Sequence, residues 1–110
     1  MKIESHTQAD VQVLTVIGSA DINSSASLRE SLLGAIEAGT KRIVCDLGKL
    51  DFICSDALGV LITAYLKANG RGGFVRLANP QAHLKEILET TRLNCLFDVF
   101  PDVCCAVSAH

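Results

Sequence analysis

Asp51-Phe52-Ile53-Cys54-Ser55-Asp56-Ala57-Leu58-Gly59-Val60-Leu61 sets a lone serine where a buried strand gives way to an apolar helix. Upstream, Arg42-Ile43-Val44-Cys45-Asp46-Leu47 is a short apolar run with β-branched residues, the pattern of a core strand. Downstream, Leu58 to Leu66 is apolar nearly all round, which predicts a helix covered on most sides. A hydroxyl at such a junction serves as a helix cap, a phosphate acceptor or a nucleophile. Each reading makes a different protein.

Working outward, Ile3 and Ser5, then Val11, Val13, Thr15 and Ile17, predict two strands around a turn at Gln8-Ala9-Asp10. Gly18 ends the second, and Ser19-Ala20-Asp21-Ile22-Asn23-Ser24 reads as a polar loop. Ser24 or Ser25 caps a helix whose buried stripe is Leu28, Leu32, Ala35 and Ile36 and which ends at Gly39. After the serine junction a helix runs to about Asn69-Gly70, Gly72-Gly73 turns the chain, and Phe74 to Leu77 forms a strand. Asn79-Pro80 reads as a cap and first helical residue, opening a helix that buries Leu84, Ile87 and Leu88. Leu96 to Phe100 is a last short strand, and Pro101-Asp102 opens a final helical turn or two. Strands alternating with helices after a hairpin predict an α/β fold with a mixed sheet. No linker or repeat interrupts it, so residues 1–110 are expected to form one domain.

The totals narrow the function. A chain of 110 residues with 49% hydrophobic and 20% charged residues has a globular composition. Its net charge of −2, with no basic stripe, argues against nucleic acid as a partner. The N-terminus lacks a signal-peptide core, and no apolar run approaches the roughly 20 residues that span a bilayer. A soluble, cytoplasmic protein without membrane insertion is the expectation. Five cysteines without a CxxC pair point away from metal binding, and Cys45, Cys54, Cys104 and Cys105 sit in apolar sequence, as buried reduced thiols do.

The candidate chemistries sort accordingly. A serine nucleophile needs a base and an orienting group, but His6, His83 and His110 lie at the termini and on an amphipathic helix, and no GxSxG elbow surrounds Ser55. Asn69-Gly70-Arg71-Gly72-Gly73 joins a helix to a strand, the reverse of a phosphate cradle. Asp21, Asp51 and Asp56 fall in loops that a parallel sheet gathers at one edge, where they read as solvated acids and helix-dipole partners. As structure, Ser55 is a competent N-cap with Asp56 at the first helical position. As function, a phosphate there adds about −1.5 to −2 charges, which helix amides tolerate and a docking partner does not.

Several stretches in order resemble the stand-alone STAS domains, the bacterial anti-sigma factor antagonists. Gly18-Ser19-Ala20-Asp21 is similar to the loop after the family's second strand, and Ile43-Val44-Cys45-Asp46-Leu47 to its apolar strand ending in Asp-Leu. Phe52-Ile53-Cys54-Ser55-Asp56-Ala57-Leu58-Gly59-Val60-Leu61 resembles the family's Phe-Ile/Met-Asp-Ser-Ser/Thr/Ala-Gly-Leu-Gly-Val-Leu hallmark. Gly72 to Pro80 and Leu93 to Phe97 resemble its later strand, helix and return.

The resemblance implies a single α/β STAS-like domain, with a mixed four- to five-stranded β-sheet and about four helices. It implies a non-enzymatic binding module without cofactor, whose partner is an anti-sigma factor with serine kinase activity or another signalling protein. Ser55 is then the phosphorylation site, and Asp21, Asn23, Cys54, Ser55, Asp56 and Leu58 the partner-binding surface. Cys54, Asp56 and Ala57 depart from the hallmark. They support an alternative, a degenerate adaptor or scaffold that binds its partner constitutively. A monomer or weak dimer is expected, with apolar surface from Leu96 to Val107 available for self-association.

Overall fold

The computed structural model describes residues 1–109, so His110 lies outside the described residues. β1 (Lys2–Gln8) and β2 (Val11–Ala20) form an antiparallel hairpin. Ala9 and Asp10, both at positive φ (50° and 66°), make its two-residue turn. Next come α1 (Ser25–Glu37), β3 (Arg42–Asp46), β4 (Leu50–Ile53), α2 (Ser55–Gly70) and β5 (Phe74–Ala78). The chain closes with α3 (Ala82–Thr90), α4 (Leu93–Leu96), β6 (Val99–Phe100) and α5 (Val103–Ser108).

The sheet runs β1-β2-β3-β5-β6, with β4 paired to the far end of β2. Every pair except β1–β2 is parallel. The central strand β3 buries Ile43, Val44 and Cys45 in succession, which a strand does when both its faces are covered. On one face α1 to α4 enclose the main core, with Leu28, Leu32, Ile36, Val60, Leu61, Leu84 and Leu88 packed on Leu14, Val16, Ile43, Cys45 and Leu77. On the other face a smaller cluster of Val11, Val13, Val44 and Ala78 lies under Ala106 of α5. Arg76 fastens that helix: its guanidinium stacks over Phe74 at 3.7 Å and donates to the carbonyls of Ala106 and Ala109, each at 2.9 Å.

The α/β class and mixed sheet agree with expectation, and the hairpin, α1, β3, α2 and β5 fall where the pattern placed them. Six strands and five helices are present among the described residues, because β4 and α4 are additional. β2 does not stop at Gly18. That glycine, at φ +98°, bends the strand, and the register shift after it lets Ser19 and Ala20 pair with Phe52 and Ile53. Asn79 is not a helix cap: it sits at φ 57° directly after β5, and α3 starts two residues beyond Pro80 with Gln81 as N-cap. The last strand shrinks to Val99–Phe100, because Leu93 to Leu96 coil into α4 after Arg92 turns left-handed at φ 61°. Leu66 is 59% exposed, so α2 is open to solvent along one side. Val103, Ala106 and Val107 face the smaller cluster, so the apolar content of the C-terminal stretch is turned inward.

Candidate functional site

Ser55 owes its position to β4. The strand β3 ends in a tight turn in which Asp46 accepts from the Gly48 amide at 3.0 Å. β4 then rises alongside the top of β2, Gly18 N donating to Lys49 O at 2.9 Å. Gln81, reaching from the start of α3, donates to the carbonyls of Gly48 (3.2 Å) and Leu50 (2.9 Å), and the His83 ring meets the Asp51 carbonyl. The last link is Cys54 N to Ala20 O at 2.9 Å. It brings the loop after β2 beside the junction after β4, so two sequence-distant segments form one surface.

The serine itself is one residue off its expected role. Cys54, at φ −89° and ψ 170°, is the N-cap of α2, and Ser55 is the first helical residue, with Asp56 second. No side-chain hydrogen bond caps this end. The Ser55 side chain is exposed and its hydroxyl is not the capping group. Asp56 is exposed too, within the first turn where the helix dipole favours an acid. On the opposite side of the helix start, Ala57 and Leu61 are sealed in the core.

The remaining expected residues divide. Asp21 is half-buried, and its Oδ1 accepts from the Asn23 amide (3.0 Å), the Ser24 amide (3.1 Å) and the Ser24 hydroxyl (3.0 Å). The carboxylate therefore shapes the loop before α1. The Ser24 hydroxyl turns back to it, leaving α1 without a side-chain cap. Asn23 is exposed, Cys54 half-buried, and Leu58 half-buried against the main core. Ala57, one of the departures from the hallmark, is fully buried. Its methyl packs inward, so alanine at the hallmark's glycine position adds no bulk to the surface. Asp21, Asp51 and Asp56 do not gather into a metal site: among the described residues no cluster of His, Cys, Asp or Glu could hold an ion.

Three functional candidates escaped sequence reasoning. Arg29, one helical turn beyond Ser25, lines with Ser25, Ser55, Asp56 and Gly59 an open groove of about 460 Å³ between α1 and α2. Ile22 is 68% exposed and Phe52 48% exposed. An apolar residue inside the polar Asp21–Ser24 loop was the available signal for Ile22. Phe52 gave none, because β4 buries its two ends and exposes its middle instead of alternating.

The cysteines correct an expectation. Cys45 is buried, but Cys104 and Cys105 are exposed on α5, as is Cys95 on α4. Asp102, accepting from the Cys105 thiol, pushes that thiol's pKa up. Burial, and secondarily Asp46, raise Cys45 from 9.0 to about 12. Its thiol stays neutral in the folded chain while the unfolded chain ionises, so its contribution is intact below pH about 9 and is lost as pH climbs toward 12. Native protein is expected to expose Cys95, Cys104 and Cys105 to an alkylating reagent and Cys45 only on unfolding, as counted by intact mass. A Cys45→Val variant should lack this part of the alkaline decline in denaturation midpoint. Alkylation of Cys45 at the rate of the exposed thiols would refute both expectations.

Among the described residues no helix is long and apolar enough to cross a membrane. A family model described as the STAS domain matches residues 2–106. BtrV of Bordetella bronchiseptica, provisionally named an anti-sigma factor antagonist, is 29% identical over 84 residues, spanning 76% of this chain and 70% of that protein. The crystal structure of an anti-sigma factor antagonist from Mycobacterium paratuberculosis superposes with a TM-score of 0.90 at 20% identity, over 98% of this chain and 92% of that one. The Bacillus protein SpoIIAA, an anti-sigma factor antagonist, shares the fold in two states. Its unphosphorylated form has a TM-score of 0.73 at 16% identity, over 93% of this chain and 89% of that one. Its phosphorylated form has 0.72 at 17%, over 93% and 91%.

Proposed function

The chain belongs to the STAS domain family, and from that premise we propose that it is a phospho-switchable anti-sigma factor antagonist. It is a non-enzymatic module, residues 1–110 acting as one cytoplasmic unit, that captures an anti-sigma factor with serine kinase activity. The bound partner releases its sigma factor, and phosphorylation at Ser55 ends the capture. The observation that carries this reading is the place of Ser55: an exposed hydroxyl at the first residue of α2, beside the Asp21 loop and on a surface with no other assigned task. A kinase reaches such a hydroxyl without unfolding anything, and the helix start accommodates the charge it adds. That SpoIIAA has been solved with and without phosphate on the same fold supports a switch that alters surface charge and leaves the architecture alone.

On this reading Asn23, Cys54, Ser55, Asp56 and the exposed edge of Leu58 contact the partner. Asp21 acts by holding Ile22 and Asn23 outward. Ile22 and Phe52 supply the apolar centre that such an interface needs, and Asp51 and Asp56 its acidic rim. Incubation with the cognate kinase and ATP is expected to add one phosphate, located at Ser55 by intact mass and peptide mapping. Survival of the modification in Ser55→Ala would sink the assignment. The constitutive adaptor draws support from Asp56, a fixed carboxylate next to the acceptor. It would be favoured by a partner that binds fully yet leaves Ser55 unmodified.

A further inference from the structure

β1 leaves one long edge of the sheet without a neighbouring strand. Its seven residues pair with β2 in unbroken register from Lys2↔Ile17 to Gln8↔Val11, with no bulge and no proline. Folded proteins usually shield such edges with bulges, prolines or short strands, and here charged side chains are the only guard. A two-residue hairpin closes with a hydrogen-bonded pair, here Gln8 and Val11, and the bonding alternates from there. Lys2, Glu4, His6 and Gln8 therefore turn their backbone groups toward β2. Ile3, Ser5 and Thr7 turn theirs outward, where no strand receives them.

We infer that this edge pairs with the same edge of a second copy, antiparallel about a two-fold axis at Ser5, so that one sheet runs through the dimer. In that register Ser5 faces Ser5 and Ile3 faces Thr7, and every outward amide and carbonyl of the strand is matched. On the opposite side of the pleat, Glu4 of each copy lies across from His6 of the other, a carboxylate against an imidazole. Lys2, the remaining charge, falls opposite neutral Gln8. Sliding the strands by two residues sets Glu4 on Glu4 or His6 on His6 and strands an outward pair. The β2 residues beside Glu4 and His6 are Thr15 and Val13, uncharged, so nothing on the adjacent strand competes for either group. This self-complementarity about one residue is what selects a second copy over an unrelated strand. A joined pair of edge strands is smaller than a standard stable interface, so the dimer exchanges with monomer.

Sedimentation equilibrium of the full chain is expected to show monomer giving way to dimer as concentration rises. Amide exchange followed by NMR should slow in step at Ile3, Ser5 and Thr7, whereas Lys2, Glu4 and His6 are protected throughout. His6→Glu places like charges across the axis and is expected to weaken self-association about tenfold. Adding Glu4→Lys to that variant restores opposite charges and should recover it; both side chains are exposed, so the fold tolerates the exchange. A monomer at every soluble concentration would overturn the proposal. So would a dimer whose Ile3, Ser5 and Thr7 amides exchange as in the monomer, or a double variant no better than the single.

Discussion

Once phosphorylated at Ser55, the chain is expected to bind its anti-sigma factor at least about 100-fold more weakly, a loss of about 2.8 kcal/mol. The phosphate brings about −1.5 to −2 charges to a surface on which Asp51 and Asp56 are already exposed. With Ile22 and Phe52 exposed on the neighbouring loop and strand, a close-fitting partner must strip water from that dianion against only partial compensation. Arg29 lines the Ser55 groove and offsets part of the charge, not all of it. The fold should be indifferent: Ser55 is exposed at a helix start, and the packed layer begins at Ala57. Calorimetric titration of both forms against one partner, with thermal melts of each, checks the expectation. Equal affinities would favour the constitutive adaptor. A collapse in Tm would mean that affinity is lost through unfolding and not through repulsion.

Gly73→Ala is expected to be the most damaging single-methyl change, at roughly 3 kcal/mol. A Cβ there would lie 1.8 Å from the Lys41 carbonyl oxygen and 2.6 Å from its carbon. Both are backbone atoms, so no rotamer relieves the clash. The same oxygen accepts from Phe74 N at 2.7 Å, the first link of the β3–β5 ladder that begins with Arg42↔Phe74. The methyl must therefore pry open the centre of the sheet at its starting pair. Gly34→Ala is the contrast: an exposed position inside α1 with nothing within 4 Å, where replacing glycine should stabilise by about 0.5–1 kcal/mol. Urea midpoints of the two variants should move in opposite directions. A Gly73→Ala midpoint close to the parent's would refute the steric account.

What the chain discloses without a structure depends on how locally each feature is written. β3 announces itself because consecutive buried residues need no knowledge of neighbours, β5 because a short apolar run follows the Gly72-Gly73 turn, and α1 because Leu28, Leu32 and Ile36 repeat at helical spacing. β4 is invisible because Leu50-Asp51-Phe52-Ile53 is buried only at its ends, and its partner on β2 follows a glycine that reads as a stop. The helix cap lies one residue before the serine that the sequence offers for it, for the same cause: the Cys54 amide is held by Ala20, a long-range bond that accompanies a helix start one position earlier. Ser55 and Asp21 could be singled out from motif order. Ile22 was legible as an apolar residue in a polar loop, whereas Arg29 and Phe52 were not, since the groove that Arg29 shares with Ser55 depends on how α1 and α2 pack and the exposure of Phe52 on how β4 pairs.

The two faces of the sheet are unequally provided for, and during synthesis that becomes a question of timing. The large core can close as soon as α4 has left the ribosome, since all of its helices precede that point. Val11, Val13, Val44 and Ala78 must wait for α5, which follows every strand it covers and which Arg76 clamps only when the Ala106 and Ala109 carbonyls arrive. A nascent chain stalled short of α5 thus carries a nearly finished domain with one bare apolar wall. That interval is when chaperone capture and misassembly have their best opportunity.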